Sequence, residues 1–285
     1  MKRLLTAAIG VPAALFAVFR FPEWAFLLLL LVVFEWAALE FVAMVRPLAP
    51  QAPWRLLLVT APLAAVALER ALALGRVAGR VPGEVLGTGT LDAHWLLLLA
   101  SAVAIVPPVA VLLGRTPVEQ AIPAAAILGW GTLYFAAPVA SLVLLQQRDP
   151  WLFFLLLAIV WLGDTAAYYV GSAWGKHRLA PVVSPKKSWE GAIAGLATSL
   201  LATAVWSVWR QGAIDPALLA VALATAIASQ LGDLVESLVK RAANVKDSGA
   251  ILPGHGGMFD RFDAMFLAAP VMLLALWIAH FELTR

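Results

Sequence analysis

PALLAVALATAIASQLGDLVESL, residues 216–238, decides the fold. From Pro216 to Leu231 it carries no charge, and its acidic groups, Asp233 and Glu236, come only at its end. A helix rises about 1.5 Å per residue, so about 20 such residues cross a bilayer's hydrocarbon core. The stretch reads as a transmembrane helix whose last turns are polar. Outward from it, apolar runs of the same kind fall near 4–19, 24–45, 55–68, 95–113, 120–146, 151–173, 190–208 and 264–281. The expectation is an all-α, polytopic membrane bundle of about nine transmembrane helices. The third run is short, and the fifth holds Gly129, Gly131 and Pro138, which suggests a broken span. No alternating ten-residue pattern of a membrane β-barrel occurs.

Composition agrees with this reading. The 285 residues are 62% hydrophobic and 13% charged, with a mean hydropathy of +0.90. A soluble domain carries about 25% charged residues, so lipid must cover most of this chain. The absence of cysteine excludes disulfides, thiolate nucleophiles and Cys-ligated metals. MKRLLTAAIGVPAALFAVFR, residues 1–20, has the basic start and apolar middle of a signal peptide. It reads instead as a retained first span, because apolar sequence resumes after Arg20 without a cleavage site and a polar mature start.

Basic residues orient the spans. With the N-terminus in the cytoplasm, thirteen Lys and Arg face inward, Lys176, Lys186, Lys187, Lys240 and Arg241 among them, and seven face outward. The polar loops 174–189 and 239–263 then both meet the cytoplasm, where nucleotides are found. Residues 69–94 read as a long, Gly-rich outside loop with room for an interfacial helix.

Carboxylates inside spans are expensive and usually serve a site or a partner. Glu35 and Glu40 lie five apart, not on one face; a bond to a neighbouring helix and a role near a site both stay open. Asp164, Tyr168, Gly171 and Gly175 form one stripe of their helix, read here as the wall of a polar cavity rather than a packing face alone. Gln230, Asp233, Ser237 and Lys240 form another, with Glu236 beside it. A water-filled, cation-binding cleft explains these groups together.

Two loop clusters carry the chemistry. In the first, Ser184, Lys186 and Lys187 precede a helix start at Trp189–Gly191, a setting for phosphate, although a basic loop beside a membrane is also what topology alone produces. Gly191 and Gly195 read as a packing step. The second runs from Ser237 to Asp263. Asp260 and Asp263, three apart, are expected on one face at the start of the last span, with Asp233 meeting them from the preceding helix. Three hard oxygen ligands suit Mg²⁺, which completes its shell from water and phosphates. Lys240, Arg241, Lys246 and Arg261 would surround a polyanion. Pro253-Gly254-His255-Gly256-Gly257 offers a turn whose backbone can approach phosphate closely. His255 would donate a proton or a hydrogen bond, and Asp247 would act as a ligand or orient Lys246. The spacings are neither those of a P-loop nor those of a Rossmann turn.

The pattern S-x-x-K-R-x4-K-D-x-[small]-x-x-[apolar]-P-x-H-G-G-x-x-D-R-x-D over Ser237–Asp263 resembles the signature of the phosphatidate cytidylyltransferases (CDP-diacylglycerol synthases). The segments Gln230–Ser237, Ser184–Gly191 and Gly163–Tyr168 are similar as well, so the resemblance covers about residues 160–266. It implies an Mg²⁺-dependent reaction of CTP with phosphatidic acid, giving CDP-diacylglycerol and pyrophosphate, with Asp233, Asp260 and Asp263 as cation ligands. It also allows a second, monovalent cation such as K⁺. On this reading residues 151–285 are the catalytic region, and residues 1–150 are a scaffold that serves lipid access or homodimer contacts. The protein would lie in the inner (cytoplasmic) membrane with its site facing the cytoplasm, and no nucleic-acid partner is expected. Two rivals predict different observables: a CTP-dependent polyprenol or phytol kinase would release CDP, and a transporter would carry its charges at mid-membrane.

Overall fold

The computed structural model describes residues 12–78, 89–249 and 256–279. In chain order the elements are α1 (residues 12–20), α2 (Glu23–Val45), a 3-10 turn (Arg46–Leu48), α3 (Arg55–Ala78), α4 (Gly89–Leu113) and α5 (Val118–Arg148). Then follow α6 (Pro150–Trp174), β1 (Arg178–Ala180), β2 (Ser184–Ser188), α7 (Trp189–Gln211), α8 (Pro216–Ala242), α9 (Phe259–Phe262) and α10 (Met265–Ile278). Among the described residues, eight helices are long and apolar enough to cross a membrane. The chain is a multi-pass integral membrane protein. Helix is the physical answer to lipid, which offers no partner to a loose backbone N–H or C=O.

Three expectations change. The expected loop 69–94 is largely helix: α3 runs on to Ala78 and α4 begins at Gly89, leaving only residues 79–88 outside the described residues. α5 is continuous across Gly129, Gly131 and Pro138. Gly131 is a packing position there, since a Cβ would stand 2.9 Å from Leu57; small residues in membrane helices more often admit a neighbour than break the helix. Finally, the all-α chain carries one small antiparallel hairpin, β1–β2, pairing Arg178 with Ser188 and Ala180 with Ser184. Its lysines and Pro185 hide any alternation, and proline is tolerated on an edge strand. Half of the first expected span, 4–19, lies outside the described residues; from residue 12 on it is helical.

The residues form two compact units. One holds α2, α3, α4, most of α5 and the segment Ser248–Phe259. Its interior is aromatic: Phe41 meets Phe135 at 5.4 Å and Phe259 at 5.9 Å, and Trp130 stacks on Tyr134 at 4.5 Å between centroids. Thr60 and Thr132 share a 2.7 Å hydrogen bond between their hydroxyls.

The other unit holds α1, α6, the hairpin, α7, α8 and α10. Side-chain caps start its helices. Asp149 accepts from the Trp151 amide ahead of Pro150, Ser188 accepts from Gly191, and Asp215 accepts from Ala217 ahead of Pro216. Gly212 closes α7 in the left-handed region, at φ 78°. Helices α6 and α7 approach closely through small residues: a Cβ on Gly191 would lie 2.6 Å from the Ala167 carbonyl, and one on Gly195 would lie 2.9 Å from that of Gly163. The start of α6 and the end of α7 share an aromatic and charged belt. Arg210 pairs with Asp149 at 3.2 Å and lies over the rings of Trp151 and Trp209, as suits a membrane–water boundary. The opposite ends, where α6 and α8 finish and α7 and α10 begin, carry the candidate site.

Candidate active site

Helix α8 places Asp233 and Glu236 one turn apart, and the turn between α9 and α10 supplies Asp263. One carboxylate oxygen from each lies within 4.8 Å of the others. Close packing brings the elements together: a Cβ on Gly232 would stand 2.7 Å from the Asp263 carbonyl oxygen. Glu236 is fully buried, and neither of its oxygens finds a well-directed hydrogen bond, although the Lys240 ammonium lies 2.7 Å away. Burying carboxylates this way is costly unless a cation completes the arrangement. Hard, clustered oxygens with an under-satisfied member fit a divalent cation of the Mg²⁺ kind.

Asp260 borders this group, within hydrogen-bonding reach of Glu236 and sharing Lys240 with it. Its carboxylate accepts from Lys240 at 2.8 Å. The expectation that Asp260 and Asp263 share one helix face assumed a single helix start, whereas α9 is one turn long and a turn at Asp263–Ala264 separates it from α10. Asp263 accepts from the Ala264 amide at 2.7 Å.

The hairpin brings the basic partner. Lys187, in β2, reaches Asp233 at 2.5 Å, and the Ser237 hydroxyl donates to the other Asp233 oxygen at 3.5 Å. The hairpin is itself anchored. Its Ser188 caps α7 and packs on Gly171 and Gly175 of α6. His177, just before β1, donates its amide to Glu190 at 3.2 Å, and its Nδ1 is 2.6 Å from the same carboxylate. Arg241 donates to the Val183 carbonyl at 3.4 Å and the Val245 carbonyl at 3.0 Å, tying the end of α8 to the hairpin and to its own exit turn. Asp164, on α6, is exposed on the same side and within electrostatic range of Asp233, Asp263 and Lys187. Thus the α6 stripe both packs, through Gly171 and Gly175, and presents a carboxylate.

The remaining expected residues divide by exposure. Lys186, Lys246, Asp247 and Arg261 are exposed, and Ser184 is half-buried. Gly256 and Gly257 belong to the other unit; Gly256 has φ 74°, a conformation that needs glycine. His255 lies outside the described residues. Glu236, read in the sequence as part of the cleft but not as a cation ligand, stands in the carboxylate group; its i, i+3 spacing from Asp233 was the available signal.

A family model described as "Cytidylyltransferase family" matches residues 1–279. The chain belongs to this family. Among curated relatives, a phosphatidate cytidylyltransferase of Staphylococcus haemolyticus is 42% identical over 161 residues, 53% of this chain and 56% of that protein. That of Staphylococcus aureus (strain COL) is 45% identical over 141 residues, 46% of this chain and 52% of the relative. That of Pseudomonas aeruginosa is 40% identical over 159 residues, 53% of this chain and 58% of the relative. The chain therefore spans about half the length of the curated relatives it matches.

Proposed function

We propose that the chain transfers a cytidylyl group from CTP to phosphatidic acid, giving CDP-diacylglycerol and pyrophosphate, at the cytoplasmic boundary of the inner membrane. The observation that carries this reading is the carboxylate trio Asp233, Glu236 and Asp263, faced by Lys187 and Lys240. Depth agrees: at about 1.5 Å per residue, Asp233 lies about 26 Å along an α8 of about 40 Å, against a hydrocarbon core of about 30 Å. That height suits a lipid phosphate. Membership of the family and the names of the relatives support the same chemistry.

Asp233, Glu236 and Asp263 would hold Mg²⁺, with Asp164 close enough to add to the field and Asp260 held by Lys240. When bound, the cation neutralises the triphosphate and polarises it toward attack. A phosphate oxygen of phosphatidic acid bonds to the α-phosphorus of CTP as the bond from that phosphorus to the α–β bridging oxygen breaks, and pyrophosphate leaves with the electron pair. The nucleophile is already anionic, so a general base has little to do. Lys187 and Lys240 would orient the carboxylates and add positive charge near the phosphates, while Lys186, Arg241, Lys246 and Arg261 would draw in the nucleotide. Catalysis is then mainly alignment and preorganised charge. The same proposal includes a K⁺ site and a homodimer, with His255 as a proton or hydrogen-bond donor and Asp247 as a ligand or a residue that orients Lys246.

Purified protein, Mg²⁺, CTP labelled at the α-phosphate and phosphatidic acid are the test. Label in the lipid extract as CDP-diacylglycerol supports the reading. Label released as CDP indicates a lipid kinase and overturns it.

A further inference from the structure

Glu40 lies in α2, a span, and is 5% exposed. Among the described residues its carboxylate accepts hydrogen bonds from Ser248, Met258 and Phe259. The Ser248 hydroxyl donates to Oε2 at 2.9 Å, the Met258 amide donates to Oε1 at 3.0 Å, and the Phe259 amide donates to Oε2 at 2.9 Å. Two glycines of the segment wrap the same carboxylate. A Cβ on Gly249 would stand 2.8 Å from Oε1, and one on Gly257 would collide with Oε2 and with the Ser248 hydroxyl. Glu40 therefore grips the segment at both ends, at Ser248–Gly249 and at Gly257–Phe259.

We infer that Glu40 is a positioning residue for the glycine-bearing end of the signature segment, setting where the Gly256–Phe259 backbone stands to meet a nucleotide phosphate. This rests on the function proposed above. A carboxylate in a span costs free energy, and only a group that can accept from two backbone amides at once fits this place. Glutamine cannot replace it: whichever way its amide is turned, the NH₂ faces either the Met258 or the Phe259 N–H, donor against donor.

The test compares Glu40→Gln and Gly249→Ala with the full-length wild type in detergent. Gly249 is not in the left-handed region, so alanine there strains only the contact with Glu40. Two readouts are taken: hydrogen exchange of the Met258 and Phe259 amides, and the separate KM for CTP and kcat with phosphatidic acid. The inference expects faster exchange at those two amides in both variants and a KM for CTP raised about tenfold or more. In a Glu40→Ala background, Gly249→Ala should add little, since its clash is gone. Unchanged exchange in both variants overturns the inference, as does a fall in kcat alone with the KM for CTP intact, which signals only fewer folded molecules. If Glu40→Gln does not fold, Gly249→Ala decides by the same two readouts. A wild type without cytidylyl transfer refutes the proposed function instead, and amide exchange then decides the clasp alone.

Discussion

Lys187, on a two-stranded hairpin, reaches Asp233, on α8, at 2.5 Å. A strand that no hydropathy pattern announces thus delivers an ammonium to a carboxylate recessed in a membrane helix. The pair joins the first loop cluster of the sequence to the polar stripe of α8. It also sets the first prediction. Lys187→Ala should raise the KM for CTP by about tenfold, equivalent to about 1.4 kcal/mol, with the thermal midpoint in detergent little changed. Lys187→Arg should recover only part of this, because a planar guanidinium does not replace a compact ammonium. Steady-state kinetics over CTP concentration check both; an unchanged KM for the alanine variant removes Lys187 from the site.

Glu236 and Asp260 should behave differently. Glu236→Gln is expected to raise the Mg²⁺ concentration needed for half-maximal activity by about tenfold to a hundredfold. Asp260→Asn weakens one of the two carboxylate partners of Lys240 and leaves Glu236 as the other, so it should lower kcat while shifting Mg²⁺ dependence less. Mg²⁺ titrations of the two purified variants separate these outcomes. A larger Mg²⁺ shift for Asp260→Asn would return that residue to the cation group.

Much of this was legible beforehand, for physical reasons. Spans follow from the length of an apolar run, so α6, α7, α8 and α10 stand where hydropathy puts them. The α8 stripe Gln230–Asp233–Ser237–Lys240 is visible because helical spacing needs only the sequence, and the structure gives each member a partner: Gln230 donates to the Ala192 carbonyl, and Lys240 meets Glu236 and Asp260. What was not legible depends on tertiary contact. The short strands have no period to read. The helical extension to Ala78 runs through Glu69 and Arg70, which pair at 3.3 Å and so hide the span's continuation. The grip of Glu40 on Phe259 joins residues 219 positions apart, beyond any local pattern.

Gly232→Ala tests the packing that carries Asp263. The new methyl would press on the Asp263 carbonyl oxygen, 2.7 Å from an ideal Cβ. Overpacking of this kind costs about 1–3 kcal/mol, and the strain falls on the turn bearing the carboxylate. Weaker Mg²⁺ activation, together with a lower thermal midpoint, is the expected result. Normal activation would show that the turn tolerates the shift.

Removing the cation should abolish turnover. Chelation with EDTA is expected to stop cytidylyl transfer and excess Mg²⁺ to restore it. Asp263→Asn should lose about a thousandfold in kcat/KM even at saturating Mg²⁺, a loss of about 4 kcal/mol. Activity surviving EDTA would contradict a metal-dependent reaction here.

The most direct test is a crystal of the protein soaked with Mn²⁺ and a non-hydrolysable CTP analogue, with anomalous scattering recorded at the manganese edge. The account predicts a peak bounded by Asp233, Glu236 and Asp263, with the analogue's phosphates on its open side. Manganese bound elsewhere, with those three carboxylates bare beside an ordered nucleotide, would contradict it.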